Sequence, residues 1–455
     1  MTMLQKRIGL TALVAGLLVL VGTLHSQEEP ENSKSFVLDN GLRVFLYEKK
    51  ALPLLNFVFS VNMGSKDETE STSGLVHILE HYILFRGTKQ HTGAEIARDM
   101  RHHGAYFNAH TGRDLSSFEI TIPSNHADFA LQILKEILFE LELDQEALED
   151  EKQVILEELT QLQDDPFRLA TSFLYQNLFP GHPYQRPIYG TREVIQGATV
   201  KQLSQFYGGF LVPANSALAV VGDFSISAME EKIKSVFEGI SSEDFTPSRY
   251  EQSGPMSETL EIEREMDVQM AYLAIGLTGP DYNSEDQYAL DVLTEIFARG
   301  INPMIYHPLS QNRIQVGGLR MGYSAHRYGG AITIVLAMEP KHLKRAKREL
   351  TKYLKQARRL NYSSDDVFGE DQLYAMDYLE SAKNRLRFRG EQARERGLAI
   401  ATSLARYMLL NEIADRGNYL EHIAEIGTTE LRTAAGNYLG QKYSVIVTIE
   451  PKKKK

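Results

Sequence analysis

Three titratable residues, His77, Glu80 and His81, interrupt the otherwise apolar run SGLVHILEHYILFRGT at residues 73–88. On a helix, residues three and four apart share a face, so these three point the same way. Leu75, Ile78, Leu79, Tyr82 and Ile83 cover the rest of the surface, and a helix that is apolar nearly all round is a buried one. Burying such groups without partners is costly. Two imidazoles at i and i+4 reach a single cation, and zinc accepts imidazole nitrogens at about 2.0–2.1 Å. Glu80, one residue before the second histidine, is placed to take a proton from metal-bound water. A helix with satisfied core histidines is the alternative, but the full His-x-x-Glu-His pattern favours a metal site.

A catalytic zinc takes three protein ligands and a water. The chain has no cysteine, so the third must be His, Asp or Glu. The segment EDEKQVILEELTQL offers adjacent Glu157 and Glu158. Glu157 shares a face with Asp150, Gln153, Thr160, Gln161 and Asp164, a solvated stripe. Glu158 shares one with Val154, Ile155 and Leu162, an apolar stripe on which a carboxylate needs a cation. Glu158 is therefore the expected ligand. Glu151, two turns earlier on nearly the same line, is placed to hydrogen-bond a zinc-bound imidazole.

The elements that must hold these residues follow from hydrophobic period. SFVLDNGLRVFLYEK (35–49) reads as strand, tight turn at Asn40-Gly41, and strand. LLNFVFSVNMG (54–64) reads as a buried strand. The histidine helix starts after STS, whose hydroxyls suit an N-cap. Residues 127–141 and 145–163 have helical period, and 217–224 is a strand. Residues 240–258, polar and rich in Ser and Pro, read as a linker between domains at 27–239 and 259–455.

The second half repeats the order. A buried strand (267–277) precedes a helix capped by Ser284 and Gln287. A basic helix near 341–360 presents a solvated face. A long helix near 380–411 and a strand at 442–450 follow, and the terminal lysines form a tail. Setting Gly87 against Gly300 lays LFRG on FARG. His77, Glu80 and His81 then face Leu290, Leu293 and Thr294. The expected fold class is α+β: two homologous domains, each a mostly antiparallel sheet packed with helices, the second without the polar triplet.

At 455 residues, with 43% hydrophobic and 24% charged residues, the chain is sized for two or more globular domains. A net charge of −11 excludes a general nucleic-acid binder. The paired glycines lack phosphate-loop spacing. Lys6 and Arg7 before the apolar residues 8–24 and the polar HSQEEPENSK read as a signal peptide cleaved after Ser26. An uncleaved membrane anchor is the alternative. Either way the mature chain is exported, periplasmic or extracellular.

From LDNGLRVFL and MGSKDE, through GLVHILEHYILFRGT, FNAHTGRDLSSFEI and EKQVILEELTQ, to PANSALAVVGDF, the sequence resembles the M16 metallopeptidases (pitrilysin, insulin-degrading and mitochondrial-processing peptidases) in a short form of two repeated domains. The resemblance implies one Zn2+ per chain on His77, His81 and Glu158, with Glu80 as general base. It also implies that YFNAHT is an edge strand on which a peptide substrate docks. Asn108 would bind the substrate backbone, and Ala109 would give main-chain hydrogen bonds. His110 reads as a solvated histidine. The family's Arg and Tyr, donors to the developing oxyanion, are matched incompletely. Ser310 stands in the Arg position, Tyr323 matches the Tyr, and Arg313 or Arg320 is left to substitute. A homodimer, or a heterodimer with a second M16-like subunit supplying the Arg/Tyr pair, is therefore expected. The rival expectation is a non-catalytic subunit with a scaffold or assembly role.

Overall fold

A computed structural model describes residues 32–242, 245–362, 377–410 and 419–452. The apolar segment at 8–24, the cleavage point after Ser26 and the last three lysines lie outside them. Among the described residues, no helix is long and apolar enough to cross a membrane.

Alternating side chains build a first sheet from β1 (Ser33–Val37), β2 (Arg43–Glu48), β3 (Leu54–Val61), β4 (Tyr106–Thr111), β5 (Ser116–Pro123) and β6 (Ser216–Gly222), in the order β1-β2-β6-β3-β5-β4. Only β2 and β6 pair in parallel. A second sheet contains β7 (Leu260–Met266), β8 (Ala271–Gly279), β9 (Val316–His326), β10 (Gly329–Met338) and β11 (Val445–Pro451), ordered β7-β11-β8-β10-β9 with β7 and β11 parallel. Without β1, the two orders and pairing senses coincide. The chain is thus a mixed α and β structure in which one plan occurs twice.

Helices cover one face of each sheet. Around the first sheet stand α1 (Leu75–Phe85), α2 (Ala127–Phe139) and α3 (Gln145–Asp164), whose apolar faces join Phe57, Phe59, Phe118 and Ile120 in one core. In the second half, α5 (Asp286–Ala298) occupies the place of α1, and α6 (Leu343–Lys355) is the basic helix. Both helices end one residue before an arginine with extended backbone, Arg86 or Arg299. Leu290 and Leu293 are buried in that second core.

Each half also lends a helix to the other. Asp165 ends α3 and caps α4 (Pro166–Leu178), accepting from the backbone N–H of Phe167 and Arg168 with Pro166 at the first helical position. Helix α4 then packs Ala170, Leu174 and Leu178 on Ala274, Val335 and Val447 of the second sheet. In return, α8 (Gly397–Leu410) lays Ala401 and Ala405 on Val58, Ala219 and Val221 of the first.

Several local expectations need correction. STS does not cap α1, whose N-cap is Gly74 with no side-chain cap. Ser284 and Gln287 do not form a capping box, because the Gln287 amide donates instead to Tyr282 O. The helix expected over 380–411 is two helices, α7 (Tyr378–Glu395) and α8. They separate at Arg396, where the backbone turns extended so that α8 can cross onto the first sheet. Sequence period also missed β7, and it started β8 four residues early.

Candidate metal centre

On α1, His77 and His81 are 5% and 7% exposed, with ring centroids 4.7 Å apart. Helix α3 crosses beside α1 and carries Glu158 toward them. Its Oε2 lies 3.6 Å from His77 Nε2 and 3.6 Å from His81 Nε2. Among the described residues, this is the one group of three or more His, Asp or Glu with ligand atoms mutually within 4.8 Å. Donors about 2.1 Å from a tetrahedral zinc stand about 3.4 Å apart. The spacing and the donor set, two imidazoles and a carboxylate, therefore fit zinc.

Protonation separates the two imidazoles. Burial, with His81 adding to it, pushes His77 down to about 3, so its imidazole is neutral at ordinary pH. Burial would lower His81 as well. The hydrogen bond that His81 donates to Glu151 and the charges of Glu158, Glu151 and Glu80 outweigh it and hold His81 above the usual imidazole value. Glu151 Oε2 sits 3.3 Å from His81 Nδ1, and Oε1 accepts from Arg86 Nε at 2.7 Å. That bond places the His81 proton on Nδ1 and turns the Nε2 lone pair toward Glu158. Glu151 is 3% exposed. Burial alone would raise its pKa, but His81 and Arg86 reverse the direction. His77 has no such brace: its Nδ1 is buried without a hydrogen-bond partner, and the Tyr189 ring packs edge-on at 5.0 Å.

Glu80 stands beside this group without joining it. Burial raises its carboxyl above the usual range, against the pull of His81 and His110. Glu157 is exposed, as expected. The stripe that carries Glu158 is buried only in part. Ile155 is fully buried, but Val154 is 44% exposed and the Glu158 side chain 37% exposed, which leaves the centre open on that side.

The remaining expected residues are distributed more widely. β4 is the edge of the first sheet, bonded among described strands to β5 alone. Asn108 Nδ2 lies 3.4 Å from His110 Nε2, and Ala109 is 4% exposed. A cleft of about 1510 Å³ takes in His110 and Thr111 of β4 together with Tyr323 of β9. The Tyr323 hydroxyl donates to Pro280 O at 2.8 Å, and burial raises its pKa far above the ordinary phenol value. Arg320 lies over the Phe167 ring, 3.6 Å from Asp165. Arg313 is exposed with φ 57°, and Ser310 Oγ donates to His307 O.

Comparison with known proteins identifies the family. Residues 45–192 match the family described as Insulinase (Peptidase family M16), and residues 197–367 match the Peptidase M16 inactive domain. The chain belongs to the M16 peptidase family. It is 23% identical over 460 residues to the zinc protease PqqE of Helicobacter pylori, covering 98% of this chain and 99% of that one. The fold is shared with two solved structures. A protease from Helicobacter pylori has a TM-score of 0.82 at 21% identity, covering 92% of this chain and 99% of that one. A peptidase M16 inactive domain from Pseudomonas fluorescens gives 0.80 at 17% identity, covering 92% and 98%. Zinc is the metal named for PqqE and for an uncharacterized zinc protease, YmxG, of Bacillus subtilis.

Sequence reading missed two residues around this centre. Arg86, which braces Glu151, ends α1 in the quoted motif itself, and its charge beside the apolar run was the available signal. Glu68, buried against the start of α1, had none beyond its place in MGSKDE.

Proposed function

We propose that this chain is a zinc-dependent endopeptidase that hydrolyses extended peptides, with one zinc ion per chain held by His77, His81 and Glu158. The observation that carries this reading is the 3.6 Å approach of Glu158 Oε2 to both Nε2 atoms, in a chain of the M16 family. A zinc ion held by these three residues would supply Lewis-acid activation of a water and of the scissile carbonyl. Glu80 accepts the proton and later returns it to the leaving amine. Its raised pKa keeps that return favourable. An extended peptide adds to the free edge of β4, with the Ala109 backbone and the Asn108 amide as its partners.

The oxyanion donor is the incomplete part. Ser310 replaces the family's Arg, and the Tyr323 hydroxyl is engaged by Pro280 O. A dimer in which a second M16-like subunit provides the Arg and Tyr supplies what is missing. The apolar segment at 8–24, read as a signal peptide or a membrane anchor, supports work outside the cytoplasm. The same gap, with the match of 197–367 to an inactive domain, supports a second reading, a weakly catalytic or non-catalytic subunit of such a pair. Bound-metal stoichiometry and cleavage of an unstructured peptide by the wild type and Glu80→Gln decide between them. The enzyme reading expects one zinc in both proteins and a loss of turnover of about 10²-fold or more in the variant. Zinc without turnover in the wild type, alone or paired, favours the second reading.

A further inference from the structure

We propose that Glu68 is a positioning residue for the metal centre, fixing His77 by capping the first turn of α1. The inference rests on the zinc reading of that centre. His77 is the third residue of α1, so it rides on the turn whose backbone N–H groups have no partners within the helix. Gly74, the N-cap, has no side chain to accept from them. Glu68 takes that role from outside the helix. Its Oε2 accepts from Gly74 N and its Oε1 from Val76 N, each at 2.9 Å, and the side chain is buried at 2% exposure. Its two oxygens thus satisfy two of the N–H groups that this turn leaves open.

The two histidines are held by different means. His81 is oriented through its own ring by Glu151 and Arg86. His77 Nδ1 has no hydrogen bond, so its direction depends on the backbone turn beneath it and on the Tyr189 ring. Both supports meet at one contact. Gly74 has φ +99°, and a Cβ on it would lie 2.7 Å from Gly190 Cα, beside Tyr189. The segment bearing Glu68 is fixed in turn. Lys66 Nζ donates to Asp114 O at 3.0 Å and pairs with Asp67 at 2.6 Å, while Arg186 donates to Lys66 O at 3.2 Å. Glu68 is thus the rigid end of a buried brace that reaches the first histidine only through main-chain hydrogen bonds.

The test uses the full chain and its Glu68→Gln and Glu68→Ala variants. Leu336→Ala, in the core of the second sheet, serves as a control matched for loss of thermal stability. In the metal-free proteins, hydrogen exchange at the Val76 and His77 amides should accelerate tenfold or more in the Glu68 variants and stay at the wild-type rate in the control. Zinc affinity, measured against a chelator below the unfolding range, should fall tenfold or more, further in Ala than in Gln. The visible spectrum of the cobalt-substituted protein should change with it. Wild-type exchange, affinity and spectrum in Glu68→Ala overturn the proposal. Equal affinity losses in Leu336→Ala do the same, because they reduce the effect to general stability. A wild type that binds no zinc overturns the zinc reading instead, and the exchange measurement then still decides whether Glu68 caps the turn.

Discussion

Arg86 donates from Nε to Glu151 Oε1 at 2.7 Å, so the carboxylate that orients His81 is itself held from behind. Such supporting partners are worth about 10–100-fold in metal affinity. Glu151→Gln is expected to weaken zinc binding within that range, because the single amide oxygen cannot serve both His81 and Arg86 and carries no charge to balance Arg86. Arg86→Ala should act in the same direction and more weakly. Chelator competition on both variants checks the order; an unchanged affinity in Glu151→Gln would show that His81 needs no brace.

Adjacent Glu157 and Glu158 make an internal control. Glu158→Gln removes a ligand and should abolish stoichiometric zinc at micromolar metal. Glu157→Gln, on the exposed side of α3, should keep both zinc and turnover. Metal analysis after gel filtration distinguishes them, and the reverse result would move the third ligand to the neighbouring residue.

The two imidazoles should titrate separately in metal binding. His77 is pushed down to about 3 and so is neutral across the working range, whereas His81 is held above its usual value. A protonated imidazole cannot ligate, so affinity is lost as pH falls through the His81 pKa, which lies above about 6.5. Below that point, and above the carboxylate range, log affinity should drop by about one unit per pH unit. A slope of two would mean that His77 competes with protons as well.

How far the sequence reached depends on which interactions have a spacing. His77, Glu80 and His81 were legible because helical period puts i, i+3 and i+4 on one face. Glu158 was legible because a carboxylate among Ile155 and Leu162 demands a cation, although Val154 beside it is exposed. Glu68 was not, since its partners are backbone N–H groups, and these are the same for every sequence. The break at Arg396 had a local signal in Gly397, a poor helix former, but the direction α8 takes is set by Ala401 and Ala405 packing on Val58, Ala219 and Val221. Tyr323 matched by position, but its partner Pro280 O is set by the pairing of β9 with β10 beside β8.

The exchange of helices predicts how the halves behave when cut apart. A protease site introduced at Ser241–Ser242, where the chain is neither helix nor strand, should give two fragments that stay together through gel filtration. Helix α4 belongs to the first fragment yet buries Ala170, Leu174 and Leu178 on the second sheet, while α8 belongs to the second and covers the first sheet. Each fully buried leucine contributes about 1.5–3 kcal/mol that separation would forfeit. Expressed alone, residues 27–239 would expose both the α4 face and Val58, Ala219 and Val221, and should aggregate. Ala405→Arg places a long charged side chain where α8 meets that sheet. Overpacking costs about 1–3 kcal/mol and burying a charge adds to it, so the nicked variant should separate while nicked wild type does not. Co-elution of nicked Ala405→Arg would mean that contacts other than α8 hold the halves.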